Sequence, residues 1–533
     1  MHDKEVMPMG LLNRKHSASA AHLNFMGGPA YDLSDPLQVL RVTAASCFFG
    51  EPMYYAQDPA DTRPRRVHGR ALGAAERAHL NATLGALDPQ ESRAATPAQR
   101  LERAIDAALN ADPEGTLRLA AELRGAWNLR VTPQVILVRA AHHAAVRGTG
   151  LIREFAPQVL RRADEPATGL AYQLSAFGKP IPNSLKKAWK AALEQLPPGV
   201  LAKYRLDGRA VKTLDVVNLV HARSPAIDAL MRGELKLEGN TWESLISARG
   251  SGPAQWAQAV SVMGHMALLR NLRNLVQHGV APERYTRTLV DGAAAGRQLP
   301  FRYYSAYRAV KDAGAPAEVL NAVEDALEVS LGALPHFRGR VMSLCDNSGS
   351  AQGAATSSMG QMQVSTIANL SAVLTARRAD EGHVGVFGDH LETFRVEGRV
   401  MPALERAERL ADGIGMSTET GIWLFWDRAI RERQHWDHVF VYSDMQAGHG
   451  GLFGQDPAAY RDYAWPGGGH SIDVPRLIQT YRREVNPQVL VYLVQVAGYS
   501  DTIVPDTYRG TFILGGWGDG LLRYAHAMSQ TFR

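Results

Sequence analysis

The sequence predicts two units of different class: an all-α array of helical repeats followed by a doubly wound α/β domain. Two observations carry this. From about residue 70 to 330 one amphipathic segment follows another, rich in Ala, Leu, Glu and Arg and punctuated by Pro or Gly. After residue 335 the pattern changes abruptly to short apolar runs alternating with helical ones. A chain of 533 residues, 45% hydrophobic, is too long for one core and apolar enough for two. The boundaries are expected at 20–335 and 336–533.

In chain order, residues 1 to about 20 read as a loose leader. In the next segment, NFMGGPAYDLSDPLQVLRVTAASCFFG, Asp35 is the expected N-cap and Pro36 the first helical residue. PADTRPRRVHG reads as an exposed basic loop. PAQRLERAIDAALNA, DPEGTLRLAAELRGA, TPQVILVRAAHHAAV, IREFAPQVLRRA, NSLKKAWKAALEQL and PAQWAQAVSVMGHMALLRNLRNLVQHG are helices. They are too many for a single bundle, so a HEAT-like solenoid with an extended curved surface is expected. In the last third, VMSLCDNSGS, HVGVFGDHLETFRV, HVFVYSDMQ, QVLVYLVQVAGY and GTFILGGWGD hold strands. SSMGQMQVSTIANLSAVLTARRA, PALERAERLA, GIWLFWDRAIRER and VPRLIQTYRREV read as the helices between them, giving a mainly parallel sheet.

Composition removes several function classes. Cys47 and Cys345 lie far apart, which supports neither a disulfide framework nor a zinc cluster. There is no apolar leader and no run of eighteen apolar residues, so a soluble cytoplasmic protein is expected. GxxxxGK[ST], GxSxG and a GxGxxG between strand and helix are all missing. The net charge of +5 is unevenly spread: residues 1–340 hold 42 basic and 32 acidic side chains, residues 341–533 hold 16 and 21. Residues 151–310 alone carry 22 basic against 12 acidic. A field of that sign attracts a polyanion.

Two groups of residues are candidates for function. In DNSGS, a buried strand runs into a turn bearing Asp346, Ser348 and Ser350, the all-oxygen chemistry that hard divalent cations prefer. Thr418 or Thr420 in DGIGMSTETG, and Asp444 after HVFVYS, lie on loops that an α/β sheet would bring to the same edge. This is the pattern of a metal-dependent adhesion site for Mg²⁺, with water and a partner carboxylate completing the shell. The second group is basic. Lys186, Lys187 and Lys190 ride one helix, Lys203, Arg205, His221 and Arg223 follow, and Arg270 and Arg273 sit three apart in MALLRNLRNL. These are phosphate-contacting candidates, whereas Trp189 is expected in the core.

The order of these segments resembles the Ro autoantigen family, the RNA-binding proteins with a TROVE module, and in particular its bacterial members. NFMGGPAYDLSDPLQVLRVTAASCFFGEPMYY, PIPNSLKKAWKAALE, VVNLVHARSP, MALLRNLRNLVQHG and LPFRYYSAYRAV are similar to parts of that module, and SLCDNSGS, STETG and VYSD to the family's metal loops. The resemblance implies a monomeric HEAT-repeat ring closed by a von Willebrand factor A-like domain. It implies Y RNA on the outer basic surface, single-stranded ends of misfolded RNA in a central hole, and a role in RNA quality control and stress. It also implies an exoribonuclease partner, polynucleotide phosphorylase, and no catalysis. Lys186, Lys187, His221 and Arg223 fall at expected RNA contacts. The family's GGT loop departs here to Met-Ser-Thr, and Thr418 is the expected ligand. A protein-adhesion module and a metal-dependent phosphoesterase are the alternatives.

Overall fold

The structure, a computed structural model, describes residues 21–23, 29–32, 35–45, 66–67, 70–71, 97–127, 129–204, 210–235, 242–296, 298–352, 363–415, 420–445, 473–496, 501–502, 510–515 and 519–531. Helix Pro36–Ala45 begins as the sequence requires, with the Asp35 carboxylate accepting the Leu37 amide at 3.0 Å. The expected basic loop contains a minimal hairpin, Arg66–Val67 paired antiparallel with Arg70–Ala71.

From Pro97–Ala111 through Ala317–Leu331, helices pack mainly against neighbours one or two positions along the chain. That is a stacked array, not a bundle about one axis. The caps are local: Asp112 accepts the Gly115 amide at 2.8 Å, and Ser224 accepts that of Ile227 at 3.2 Å. Helix Asn183–Glu194 buries Leu185, Trp189 and Leu193, one stripe at four-residue spacing. Trp189 is fully enclosed, and it lies so close to Gly169 that a Cβ there would stand 3.2 Å from the indole. Within the array, Glu165 is buried against Arg124 at 2.7 Å and accepts the amides of Arg161 and Arg162 at 2.6 and 2.8 Å. Burial still pushes its carboxyl above the ordinary range, against the pull of Arg124 and those amides.

The α/β unit is built on six strands: β1 (Phe337–Asp346), β2 (Ala379–Phe387), β3 (Leu391–Arg395), β4 (His438–Ser443), β5 (Leu490–Gln495) and β6 (Thr511–Gly515). Their order is β6-β5-β4-β1-β2-β3, parallel throughout except for β2 with β3. HVGVFGDHLETFRV is therefore an antiparallel hairpin of two strands, turning at Gly388–His390. Along β1, Val341 and Cys345 enter a core continuous with the helical array, while Met342 and Leu344 enter a second core with Trp423 and Trp426. This two-residue alternation sandwiches the sheet between helices.

Both ends of the helical array dock on this unit. At one end, Ala317–Leu331 meets helix Val400–Asp412: Glu328 accepts the Val400 amide at 2.7 Å, and Arg399 reaches Glu324 at 3.4 Å. Alongside, Lys311 pairs with Glu405 at 3.3 Å. At the other end, Pro36–Ala45 lies on β6, where Gln38 donates to the Ile513 carbonyl at 3.3 Å and Val42 enters the second core. Strand Pro29–Asp32 also pairs antiparallel with Asp501–Thr502. The approach is close enough to require glycine: a Cβ on Gly515 would stand 2.5 Å from the Val42 Cα. Among the described residues, no helix is long and apolar enough to cross a membrane.

Gly515→Val should therefore push Pro36–Ala45 off β6 and cost about 1–3 kcal/mol. Thermal unfolding and limited proteolysis check this: a lower Tm with earlier release of the N-terminal segment is expected, and a wild-type profile would contradict the close approach.

Candidate functional site

The DNSGS turn follows β1, the strand flanked by β2 and β4. Its conformation is fixed by Asn347, whose backbone amide donates to the Phe387 carbonyl at 2.8 Å and whose side chain exchanges hydrogen bonds with Asn369 at 2.7 and 3.0 Å. Gln352 then donates to the Asn347 carbonyl at 2.6 Å and to that of Ala411 at 3.0 Å. The last of these ties the turn to the start of the 412–421 loop. That loop also approaches β2, since the Asp389 amide donates to the Ile414 carbonyl at 2.9 Å.

Asp346, Ser348 and Asp444 are all buried. Asp346 Oδ1 accepts the Ser348 amide at 3.0 Å and Oδ2 accepts the Ser443 hydroxyl at 2.5 Å. The hydroxyls of Ser348 and Ser350 stand 3.2 Å apart. Ser443 ends β4, and its hydroxyl also accepts the Met445 amide at 3.0 Å, which places Asp444 beside the turn. Gln495, at the end of β5, donates to the Asp444 carbonyl at 2.8 Å. Desolvation pushes the Asp346 carboxyl above its ordinary range, while the hydroxyls of Ser348 and Ser443 and the amides of Ser348 and Asp444 pull it down.

Thus the structure brings Asp346, Ser348, Ser350 and Asp444 to one edge of the sheet. Thr418 lies outside the described residues, and Thr420 opens helix Thr420–Arg431. The donor set fits a hard cation: two carboxylates and two hydroxyls, with the central carboxylate buried among neutral partners. Among the described residues no three His, Cys, Asp or Glu side chains gather as a metal cluster, so the hydroxyls are essential to any cation shell here. Ser443, Asn347, Asn369, Gln352 and Gln495 position this edge, and sequence reasoning missed those roles. The Ser-Asp pair ending the largely apolar run HVFVY was the one available signal for Ser443.

On the helical array, Lys187, Lys203, His221 and Arg223 are exposed, while Lys186 and Lys190 are half-buried. Helix Asn183–Glu194 packs beside Thr213–Val220. Glu194 joins them, accepting the Arg223 amide at 2.8 Å and pairing with Lys190 at 3.8 Å. Lys190, Arg223 and the neighbouring His221 therefore share one face, and His221 is held there in a left-handed conformation, φ 52°, as the cap of its helix. Arg205 lies outside the described residues. Arg270 and Arg273 are exposed on a different helix, His265–Gln277. His142 and His143 bond to Gln173 and Asn110 at 2.8 and 3.0 Å.

Comparison with known proteins agrees with this architecture. Residues 229–339 match the TROVE domain family. The fold matches the crystal structure of the Deinococcus radiodurans Ro (RSR) protein with a TM-score of 0.55 at 14% identity, covering 94% of this chain and 100% of that one. No curated protein sequence matches.

Replacing Asp346 by Asn keeps the shape and removes the charge. In a chelator, Asp346→Asn is expected to unfold no earlier than the wild type. Millimolar Mg²⁺ should raise the Tm of the wild type alone. An equal Mg²⁺ shift in both proteins would remove Asp346 from the cation site.

Proposed function

We propose that this Ro-like protein of the TROVE family is a noncatalytic RNA-binding protein that takes small noncoding Y RNA on its basic helical face and single-stranded ends of misfolded RNA within the closed circuit of its helices. RNA quality control during stress is the corresponding role. One observation carries the reading furthest: Glu194 joins Lys190 to the Arg223 backbone beside His221, at the end of the helix that also carries Lys186 and Lys187. The excess of 22 basic over 12 acidic side chains in residues 151–310 supplies the long-range field. Lys203 extends the set at the end of helix Pro198–Lys203, Arg205 follows it in the sequence, and Arg270 and Arg273 add charge on His265–Gln277.

The second part of the reading is a Mg²⁺ ion held by Asp346, Ser348, Ser350, Asp444 and Thr418, with water completing the shell. A bound ion would supply an electrophilic position open to a partner carboxylate. That makes the α/β unit a docking element, and an exoribonuclease such as polynucleotide phosphorylase is the partner class we favour. Phosphoester hydrolysis fits less well. Both Asp346 oxygens already accept hydrogen bonds, and its hydrogen-bond partners are hydroxyls and amides, with no phosphate-clamping cation among them.

Charge reversal tests the RNA face. The double variant Lys186→Glu, Lys187→Glu should bind RNA at least about tenfold more weakly, with a salt slope shallower by about 0.7–0.9 for each phosphate that is no longer neutralised. Unchanged affinity and slope would sink the assignment. Sequencing the RNA that copurifies with wild type and variant identifies the ligand: enrichment of small structured noncoding RNA is expected with the wild type, and a profile equal to total cellular RNA counts against it.

A further inference from the structure

Phosphate contacts hold a strand without gripping its bases. The helical array also offers a surface of the other kind. Helix Glu165–Ala176 ends at Phe177, its cap, and Gly178 follows at φ 62°, the left-handed conformation in which helices commonly stop. Phe177 is 36% exposed, the one Phe, Trp or Tyr ring left open to water among the described side chains. Leu174, one turn back on the same helix, is exposed as well.

A lone exposed apolar side chain is ordinary on a protein surface. This ring, however, is fixed from behind. His142, the last residue of helix Thr132–His142, lies parallel to it, with ring centroids 4.0 Å apart and 7° between the planes. Because an amide oxygen can only accept, the His142 Nε2–H donates to Gln173 Oε1, at 2.8 Å, and Gln173 Nε2 in turn donates to the Gly178 carbonyl at 2.9 Å. Gln173 is fully buried, so one glutamine holds both the imidazole behind the ring and the turn that follows it. Arg139, one turn back from His142, stands 5.6 Å from the Phe177 centroid and is itself held by Asp106 and by the Tyr172 hydroxyl, each at 2.7 Å. Tyr172 meets the ring edge-on at 6.3 Å. These partners all come from two packed helices, and they set the orientation of the ring while part of it stays open to water. A rigid exposed aromatic face is what an unpaired nucleobase stacks on, with little preference among bases because each has a π-face. The surroundings favour a nucleic acid strand over an apolar peptide. Lys179 is exposed two residues after Phe177, and the same connection leads into helix Asn183–Glu194, whose first residues include Lys186 and Lys187.

We propose that Phe177, backed by His142, is a stacking platform for one unpaired base of an RNA strand whose phosphates are held by Lys179, Lys186 and Lys187. This rests on the RNA-binding reading, and it adds a grip on a base where the lysines grip only the backbone.

The test uses the full chain and a fluorescent single-stranded oligouridylate, with binding followed by anisotropy across a salt series. Phe177→Leu and Phe177→Tyr are compared with the Lys186→Glu, Lys187→Glu variant, and each protein is also melted without RNA. A second oligouridylate carrying 5-iodouridine is photocrosslinked to the wild type, and the attachment site is mapped by mass spectrometry. Phe177→Leu keeps an apolar side chain but loses the ring, and should bind about tenfold more weakly. Its salt slope should equal that of the wild type, because no phosphate contact has been removed. Phe177→Tyr should bind as the wild type does, and the crosslink should map to Phe177. If Phe177→Leu also lowers the RNA-free Tm, the crosslink decides: attachment at Phe177 upholds the platform, and attachment only elsewhere overturns it. Equal losses of affinity in the Leu and Tyr variants overturn it too. Wild-type affinity in Phe177→Leu, with weakened binding in the lysine variant, overturns the platform while leaving RNA binding intact. A wild-type protein that binds no oligouridylate overturns it together with the broader reading.

Discussion

The docking of both ends of the helical array on one α/β unit is the constraint on which the rest depends. A stacked array buries its core only between neighbours, so its terminal helices would each expose an apolar face. Here those faces are covered. Val42 enters the core beneath β6 at one end, and Ala317–Leu331 rests on Val400–Asp412 at the other. The two junctions differ in character. The first is apolar and so close that Gly515 tolerates no Cβ, whereas the second is rich in ion pairs around Glu328, Arg399 and Lys311. Close apolar packing sets the first junction, while at the second an apolar core shared by Leu327 and Leu404 is flanked by ion pairs that salt screens.

Buried charge is handled in two ways in this chain, and the difference separates structure from function. Glu165 is neutralised by Arg124 and two amides, a closed arrangement that needs nothing from outside. Asp346 is surrounded by hydroxyls and amides that hold it in place without balancing its charge. The second arrangement is incomplete and suited to a cation. Exposed ion pairs such as Arg118 with Glu114 contribute little by comparison.

How much was legible in the sequence follows from how local each feature is. Strand and helix alternation, the Asp35 cap, the burial of Trp189 and the DNSGS turn are written in consecutive residues, and period and chemistry suffice to find them. The second strand of the β2–β3 hairpin was hidden because Glu392, Thr393 and Arg395 are exposed and only Leu391 and Phe394 are buried, which breaks the two-residue period of a strand. Asn369, Gln352 and Gln495 reach the site from helices or strands whose register the sequence leaves open. The pairing of Pro29–Asp32 with Asp501–Thr502 joins segments more than 450 positions apart, and the contact of Pro36–Ala45 with β6 depends on the curvature of the whole array. Such features depend on summed helix–helix angles, which no window of residues contains.

The same docking has a consequence for the order of events on the ribosome. β6, which receives Pro36–Ala45, is the last of the six strands to be synthesised. Throughout elongation the helical array can form from its local contacts, and Pro36–Ala45 can pack on Pro97–Ala111 and Pro113–Gly125, yet the Val42 side of that helix stays uncovered until β6 has emerged. Nascent chains therefore carry an open arc with one uncovered apolar face, and the circuit closes only when β6 joins the sheet.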